Sequence, residues 1–142
     1  MDEALAYALR LLARRAMSRA RLREKLRARF GEEVVGEVLR RLEALGYLDD
    51  RAFAETFVAV RGRYGPLKLR NLLRAQGVAE EVVEAVLGQG GEKGVLEAAL
   101  EVLRRYPRRG DKAKAVRFLK GRGFPLSVAL EAYRLVKEEE SG

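Results

Sequence analysis

Cysteine and histidine are both absent from the 142 residues. Without cysteine the chain can form no internal disulfide and offers no thiolate metal site, and without histidine it lacks the commonest general base. Aliphatic hydroxyls are scarce as well: Ser18, Thr56, Ser127 and Ser141 are the full set. Ser18 precedes a basic stretch and reads as a helix N-cap, Ser127 opens the last apolar-periodic segment, and Ser141 belongs to the tail. None has a convincing base to activate it. The glycine-rich run from Gly88 to Gly94 invites comparison with a phosphate-binding loop, but Lys93 is followed by Gly94 where that motif needs Ser or Thr, and no strand signal precedes it. It reads instead as a flexible linker. The expectation is a protein that is not an enzyme, with no catalytic residue, cofactor or metal.

Apolar runs of roughly 20 residues, long enough to span a bilayer, are missing too, and Met1 is followed by Asp2 and Glu3 rather than by a basic leader. A cytoplasmic protein with no membrane partner is expected. Two-residue alternation of apolar side chains is absent, which argues against strands.

What the chain does have is one helical pattern repeated three times. Glu32, Glu33, Val34 and Val35 recur as Glu80, Glu81, Val82 and Val83, with Val38 and Leu39 falling on Val86 and Leu87. In the third copy Val128, Ala129, Ala132 and Tyr133 take the equivalent apolar places. Upstream, Leu22 and Leu26 correspond to Leu69 and Leu73 and then to Ala115 and Leu119, and Gly77 matches Gly123 as the helix terminator. The first helices diverge more, reading Leu5, Leu9, Leu12, then Phe53, Phe57, Val60, then Val95, Ala99, Leu103. All keep the three- and four-residue spacing of one helical face. Punctuation fits nine short helices: Gly31 and Gly46 end two of them, Asp50 and Asp111 are N-cap candidates, and Pro66 and Pro125 sit near helix starts. The expected fold is all-α, a tandem repeat of three three-helix units at residues 1–49, 50–89 and 90–142. Units this small bury too little surface to stand alone, so they should share contacts in an elongated, curved array.

Charge follows the repeat. The chain carries +8 overall, while Ser18–Arg29, Pro66–Gln76 and Arg108–Gly123 carry +5, +3 and +6, which leaves the rest net acidic. Basic middle helices suit a long polyanion, because neutralising phosphates releases condensed counterions without reading sequence. The candidate contacts are Arg19, Arg23 and Arg27 in the first copy, Lys68, Arg70 and Arg74 in the second, and Lys114, Arg117 and Lys120 in the third. A solvated helix face is the plainer explanation of such charge, and its threefold recurrence is what weighs against it. Tyr64 and Tyr106 stand beside cations and could stack on unpaired bases, although partly buried packing at a helix end is the plainer reading of either.

Between the first two copies lies Gly46, Tyr47, Leu48, Asp49, Asp50. Gly46 can turn the chain, Leu48 can pack back on the preceding helix, and Asp49 or Asp50 can accept the free amides of the next one. Two adjacent carboxylates with no further spaced ligand make a poor metal site. This segment, with Phe53 and Ala54 after it, Arg61 and Gly65 at the next joint, and the later Arg122, Gly123, Phe124, resembles the RecX family, regulators of the RecA recombinase. The resemblance extends over essentially the whole chain; the acidic Glu138, Glu139, Glu140 and the short N-terminal lead depart from it. It implies tandem three-helix repeats, with Gly46, Tyr47, Leu48, Asp49, Asp50, Arg61 and Gly65 as inter-repeat joint. It further implies a regulator in DNA repair, homologous recombination and the SOS response, which binds the RecA–DNA filament and restrains its ATPase, strand exchange and coprotease activities. The expected partners are that filament and single-stranded DNA, with double-stranded DNA left open, and the expected state is a monomer. Read from the residues alone, a helical DNA-binding module with no recombinase partner stays open as well.

Overall fold

The computed structural model describes residues 1–142 as nine α-helices without a strand. They are α1 Asp2–Arg14, α2 Arg19–Arg27, α3 Glu32–Ala44, α4 Asp50–Ala59, α5 Pro66–Ala75, α6 Glu80–Leu87, α7 Gly91–Arg104, α8 Lys112–Gly121 and α9 Leu126–Ser141. Their contacts gather into two compact units that interleave along the sequence. Unit 1 comprises Met1–Phe57 and Leu73–Val86; unit 2 comprises Val58–Leu72 and Leu87–Gly142.

In unit 1 the apolar stripes of α1, α2 and α3 converge on Ala8, Leu22, Leu26, Val38, Leu39 and Leu42, all excluded from solvent. The buried members of α1 are Ala4 and Ala8, while Leu5, Leu9 and Leu12 lie half-buried around them. Small residues at the centre of that stripe let α1 approach closely, and the predicted leucines flank the contact. In unit 2, α7, α8 and α9 pack around Leu103, Leu119, Phe124, Ala129, Ala132 and Val136. The middle-helix positions predicted as equivalent, Leu22 with Leu26, Leu69 with Leu73 and Ala115 with Leu119, are buried in all three helices.

Helix ends explain the punctuation and correct part of it. After α3, Gly46 takes φ +83, its amide donates to the Glu43 carbonyl, and the Tyr47 amide donates to that of Leu42. The same pair of bonds closes α5 at Gly77 and Val78 and α8 at Gly123 and Phe124, the left-handed stop that glycine makes cheaply. Gly31 is not such a stop. It has φ −71 and is the N-cap of α3, because α2 closes one turn earlier through amides of Arg29 and Phe30 bonded to the Leu26 carbonyl. The N-cap of α4 is Asp49, whose carboxylate accepts from the amides of Arg51 and Ala52 at 3.0 and 3.1 Å. Asp50, one residue later, is already helical and points elsewhere. The run predicted as a linker is a turn with left-handed Gly90 and Gly91, and it is helical from Gly91 onward. Val60, expected on the apolar stripe of α4, falls just beyond that helix and is 71% exposed.

Candidate polyanion-binding surfaces

The basic helices meet others end to end inside each unit. In unit 1 the first turn of α2 receives the last turn of α5: buried Ser18 caps α2 by accepting from the Arg21 amide and donates its own proton to the Gln76 carbonyl. Gly77 comes so close that a Cβ there would lie 2.5 Å from that of Ala20. The Asp50 carboxylate accepts from the Arg19 amide at 2.7 Å, so the two adjacent acids of the joint cap two different helices. In unit 2 the free carbonyls at the end of α8 meet the free amides at the start of α5. The Gly65 amide donates to the Arg122 carbonyl at 2.7 Å and the Leu67 amide to that of Gly123 at 3.0 Å. Each end thereby satisfies the orphan backbone groups of the other.

These junctions decide where the predicted cations stand. Along α2, Arg19, Arg23 and Arg27 share one face at four-residue spacing and line a groove of about 430 Å³ together with Asp50 and Gly77. Each is paired: Arg19 with Glu43 at 3.0 Å, Arg23 with Glu32 at 3.1 Å, Arg27 with the same Glu32 at 3.0 Å. Arg74, at the end of α5, forms a two-bond pair with Glu80, and that hydrogen bond raises its pKa above the usual guanidinium value. All four pairs are exposed, so solvent screens them and they exchange readily.

Unit 2 is different. No carboxylate pairs with Lys112, Lys114, Arg117, Lys120 or Arg122. Lys68 places its ammonium 4.2 Å from the centre of the Tyr64 ring, and Arg122 lies 5.1 Å from that of Phe118. The Gly65–Gly123 crossing brings Lys68 against the end of α8, since a Cβ on Gly123 would sit 2.4 Å from the Lys68 Cβ. Arg70 is half-buried in α5, and Arg61 is half-buried in the turn after α4, where its carbonyl accepts from the Tyr64 amide.

Of the joint residues, Leu48 is buried in the unit 1 core and Tyr47 is 61% exposed. Of the two candidate stackers, Tyr64 carries the Lys68 contact, whereas Tyr106 lies flat on Phe118, ring centres 4.1 Å apart and planes within 3°. That pair floors a cleft of about 640 Å³ in unit 2, flanked by Arg63, Arg105 and Arg122. Reading along the sequence identifies Tyr106 with Arg105 beside it but does not bring Arg63, Phe118 and Arg122 to the same place. The available signal was the four-residue step from Phe118 to Arg122.

The acidic end of α9 is not a free tail. Glu139 holds Arg104 through two hydrogen bonds, and Glu140 holds Arg109. The Arg104 hydrogen bond keeps the Glu139 carboxyl below its ordinary pKa. A depressed carboxylate contributes stability above its unfolded pKa and loses it as pH falls through the lower folded value. The Glu139–Arg104 pair should therefore persist below the ordinary glutamate range, about 4.3. Replacing Glu139 by glutamine releases the Arg104 guanidinium, and the variant is expected to lose less melting temperature than the parent as pH is lowered from about 6 to about 2, measured by circular dichroism.

Residues 4–42 match the description of the first three-helix domain of RecX, and residues 49–87 that of its second three-helix domain. A regulatory protein RecX from Thermus thermophilus is 65% identical over 142 residues, covering 99% of this chain and 97% of that one. The regulatory protein RecX of Chlorobaculum tepidum is 39% identical over 153 residues, covering 99% and 96%. The crystal structure of RecX from Lactobacillus salivarius superposes with a TM-score of 0.84 over 97% of this chain and 96% of that one, at 19% identity, a likeness of fold alone.

Proposed function

The chain belongs to the RecX family of regulatory proteins, and from that premise we propose that it is a non-catalytic regulator that binds the RecA–DNA filament and lowers its ATPase, strand-exchange and coprotease activities. The observation that carries the reading is the unpaired cationic surface of α8, continued by Arg122 and by Lys68 at the start of α5. Phosphates would engage it without displacing any carboxylate. Arg19, Arg23, Arg27 and Arg74 form a second set, engaged by exchanging an exposed glutamate for phosphate; Arg70 belongs to the proposed contact set as well. The proposal keeps three three-helix repeats at 1–49, 50–89 and 90–142, acting as a monomer in the cytoplasm. Weak contacts made by several repeats would add through effective concentration.

Saturating protein is expected to lower the DNA-dependent ATPase of the cognate recombinase severalfold. An unchanged rate at saturation contradicts the proposal. Titration in salt separates it from a DNA-binding module acting alone. Binding carried by six phosphates of a single strand follows a log–log slope near about −4, while filament binding that includes protein contacts falls less steeply.

A further inference from the structure

The cleft of unit 2 has a chemistry that a track of phosphate contacts leaves unused. Its floor is aromatic: Tyr106 and Phe118 stack in parallel, both half-buried, with the Arg122 guanidinium against the Phe118 ring. Its rim is cationic, formed by Arg63, Arg105 and Arg122, with Glu101 as the one acid, 3.5 Å from Arg105. Val60, largely exposed, adds an apolar wall. A volume of about 640 Å³ is in the range of small-ligand sites, roughly 300–1,000 Å³.

A planar, weakly polar ring bearing anionic groups on both sides matches this lining. An unpaired nucleobase in a strand is such a group: its face stacks on aromatic rings, and its neighbouring phosphates meet arginine. Position agrees as well. Phe118 lies one turn after Lys114 and one turn before Arg122, on the same face of the helix, so a strand whose phosphates engage those two cations passes the mouth of the cleft. We propose that this cleft holds one unpaired base of a single strand, stacked on the Tyr106–Phe118 pair, with the flanking phosphates on Arg63, Arg105 and Arg122. The inference rests on the reading of α8 as a polyanion surface and adds to it a preference for unpaired strands.

The test uses the full chain, a labelled oligothymidylate and an abasic strand of equal length and charge, compared by fluorescence anisotropy. Tyr106→Leu is expected to weaken oligothymidylate binding about tenfold and leave the abasic strand unaffected, while Tyr106→Phe retains wild-type affinity. The chain has no tryptophan and five tyrosines, so tyrosine emission supplies a second readout. Oligothymidylate should quench it in the wild type and less in Tyr106→Phe, which stays informative even if the leucine variant fails to fold. Equal losses on both strands, or no loss on either, overturn the inference. Where binding still depends on Lys114, Arg117 and Lys120 but not on Tyr106, the cleft assignment alone fails. A wild type that binds neither strand removes the polyanion reading and the cleft together.

Discussion

Alanine at Lys114, Arg117 and Lys120 together is expected to lower affinity for single-stranded DNA about 100-fold at ~0.1 M salt and to flatten the salt dependence by about two units of log–log slope. Each phosphate contact on a single strand contributes roughly 0.7 of a counterion, a factor near five at that concentration, and three contacts multiply. The helix should tolerate the change. Alanine is the best helix former, and the three replaced charges, three residues apart on α8, repel one another as like charges at that spacing do. A loss of binding with unchanged thermal unfolding is therefore the expected combination. The same triple substitution at Arg19, Arg23 and Arg27 should cost only about tenfold, because those cations already hold Glu43 and Glu32 and part of what phosphate contributes replaces what the carboxylate gave. Equal losses from the two triple variants would show that pairing with glutamate does not govern which basic helix engages DNA. Anisotropy over a salt series measures both quantities, and the recombinase ATPase repeated with each variant connects them to regulation.

That ranking of the basic helices was not legible in the sequence, and the reason is physical. The helices themselves were legible: period, caps such as Ser18 and Asp111, and the glycine stops at Gly46, Gly77 and Gly123 are local, each set by residues within one turn. Pairing is not local. Arg19 and Glu43, or Arg104 and Glu139, are 24 and 35 residues apart, and only the packing of α2 beside α3 and of α7 beside α9 brings them together. Local competition explains the smaller misreadings. Asp49 and Asp50 are both good N-caps, and the choice between them depends on the Arg19 amide, which adjacency in sequence does not reveal. Gly31 looked like a stop because glycine commonly is one, yet the turn at Arg29 and Phe30 had already closed α2, with Phe30 packing toward Tyr7. The glycines at 90 and 91 permit a tight entry into α7 instead of a linker. The cleft around Tyr106 combines α7, α8 and the segment after α4, so its composition depended on tertiary structure from the start.

Gly65→Ala and Gly123→Ala are each expected to destabilise the protein by about 2–4 kcal/mol, a fall in melting temperature of roughly 10 °C for a chain of this size. Gly65 needs no unusual torsion; its replacement fails because the new methyl would lie 2.6 Å from the carbonyl carbon and oxygen of Gly123 and 2.7 Å from Phe124 Cγ. Backbone cannot swing aside as a flexible side chain can, so α5 and α8 must separate. Separation breaks the bonds from Gly65 to Arg122 and from Leu67 to Gly123, leaving helix-end groups without partners at about 1–3 kcal/mol for each one that stays buried. Gly123 carries the same collision, with Lys68 at 2.4 Å, and also a φ of +98. Two glycines outside the crossing divide the causes. Gly46 has φ +83 with nothing within 4 Å, so its alanine variant pays for torsion alone, about 1–2 kcal/mol; Gly62 has neither constraint and should change by less than about 0.5 kcal/mol. If Gly65 and Gly123 owe their cost to one shared contact, the double variant falls well short of the sum of the singles. Additive losses in urea unfolding would mean that the two act separately and that the crossing does not hold the ends together. The same separation moves Lys68 away from the end of α8, so in a variant that still folds the affinity for single-stranded DNA should drop alongside stability, although no cation has been removed.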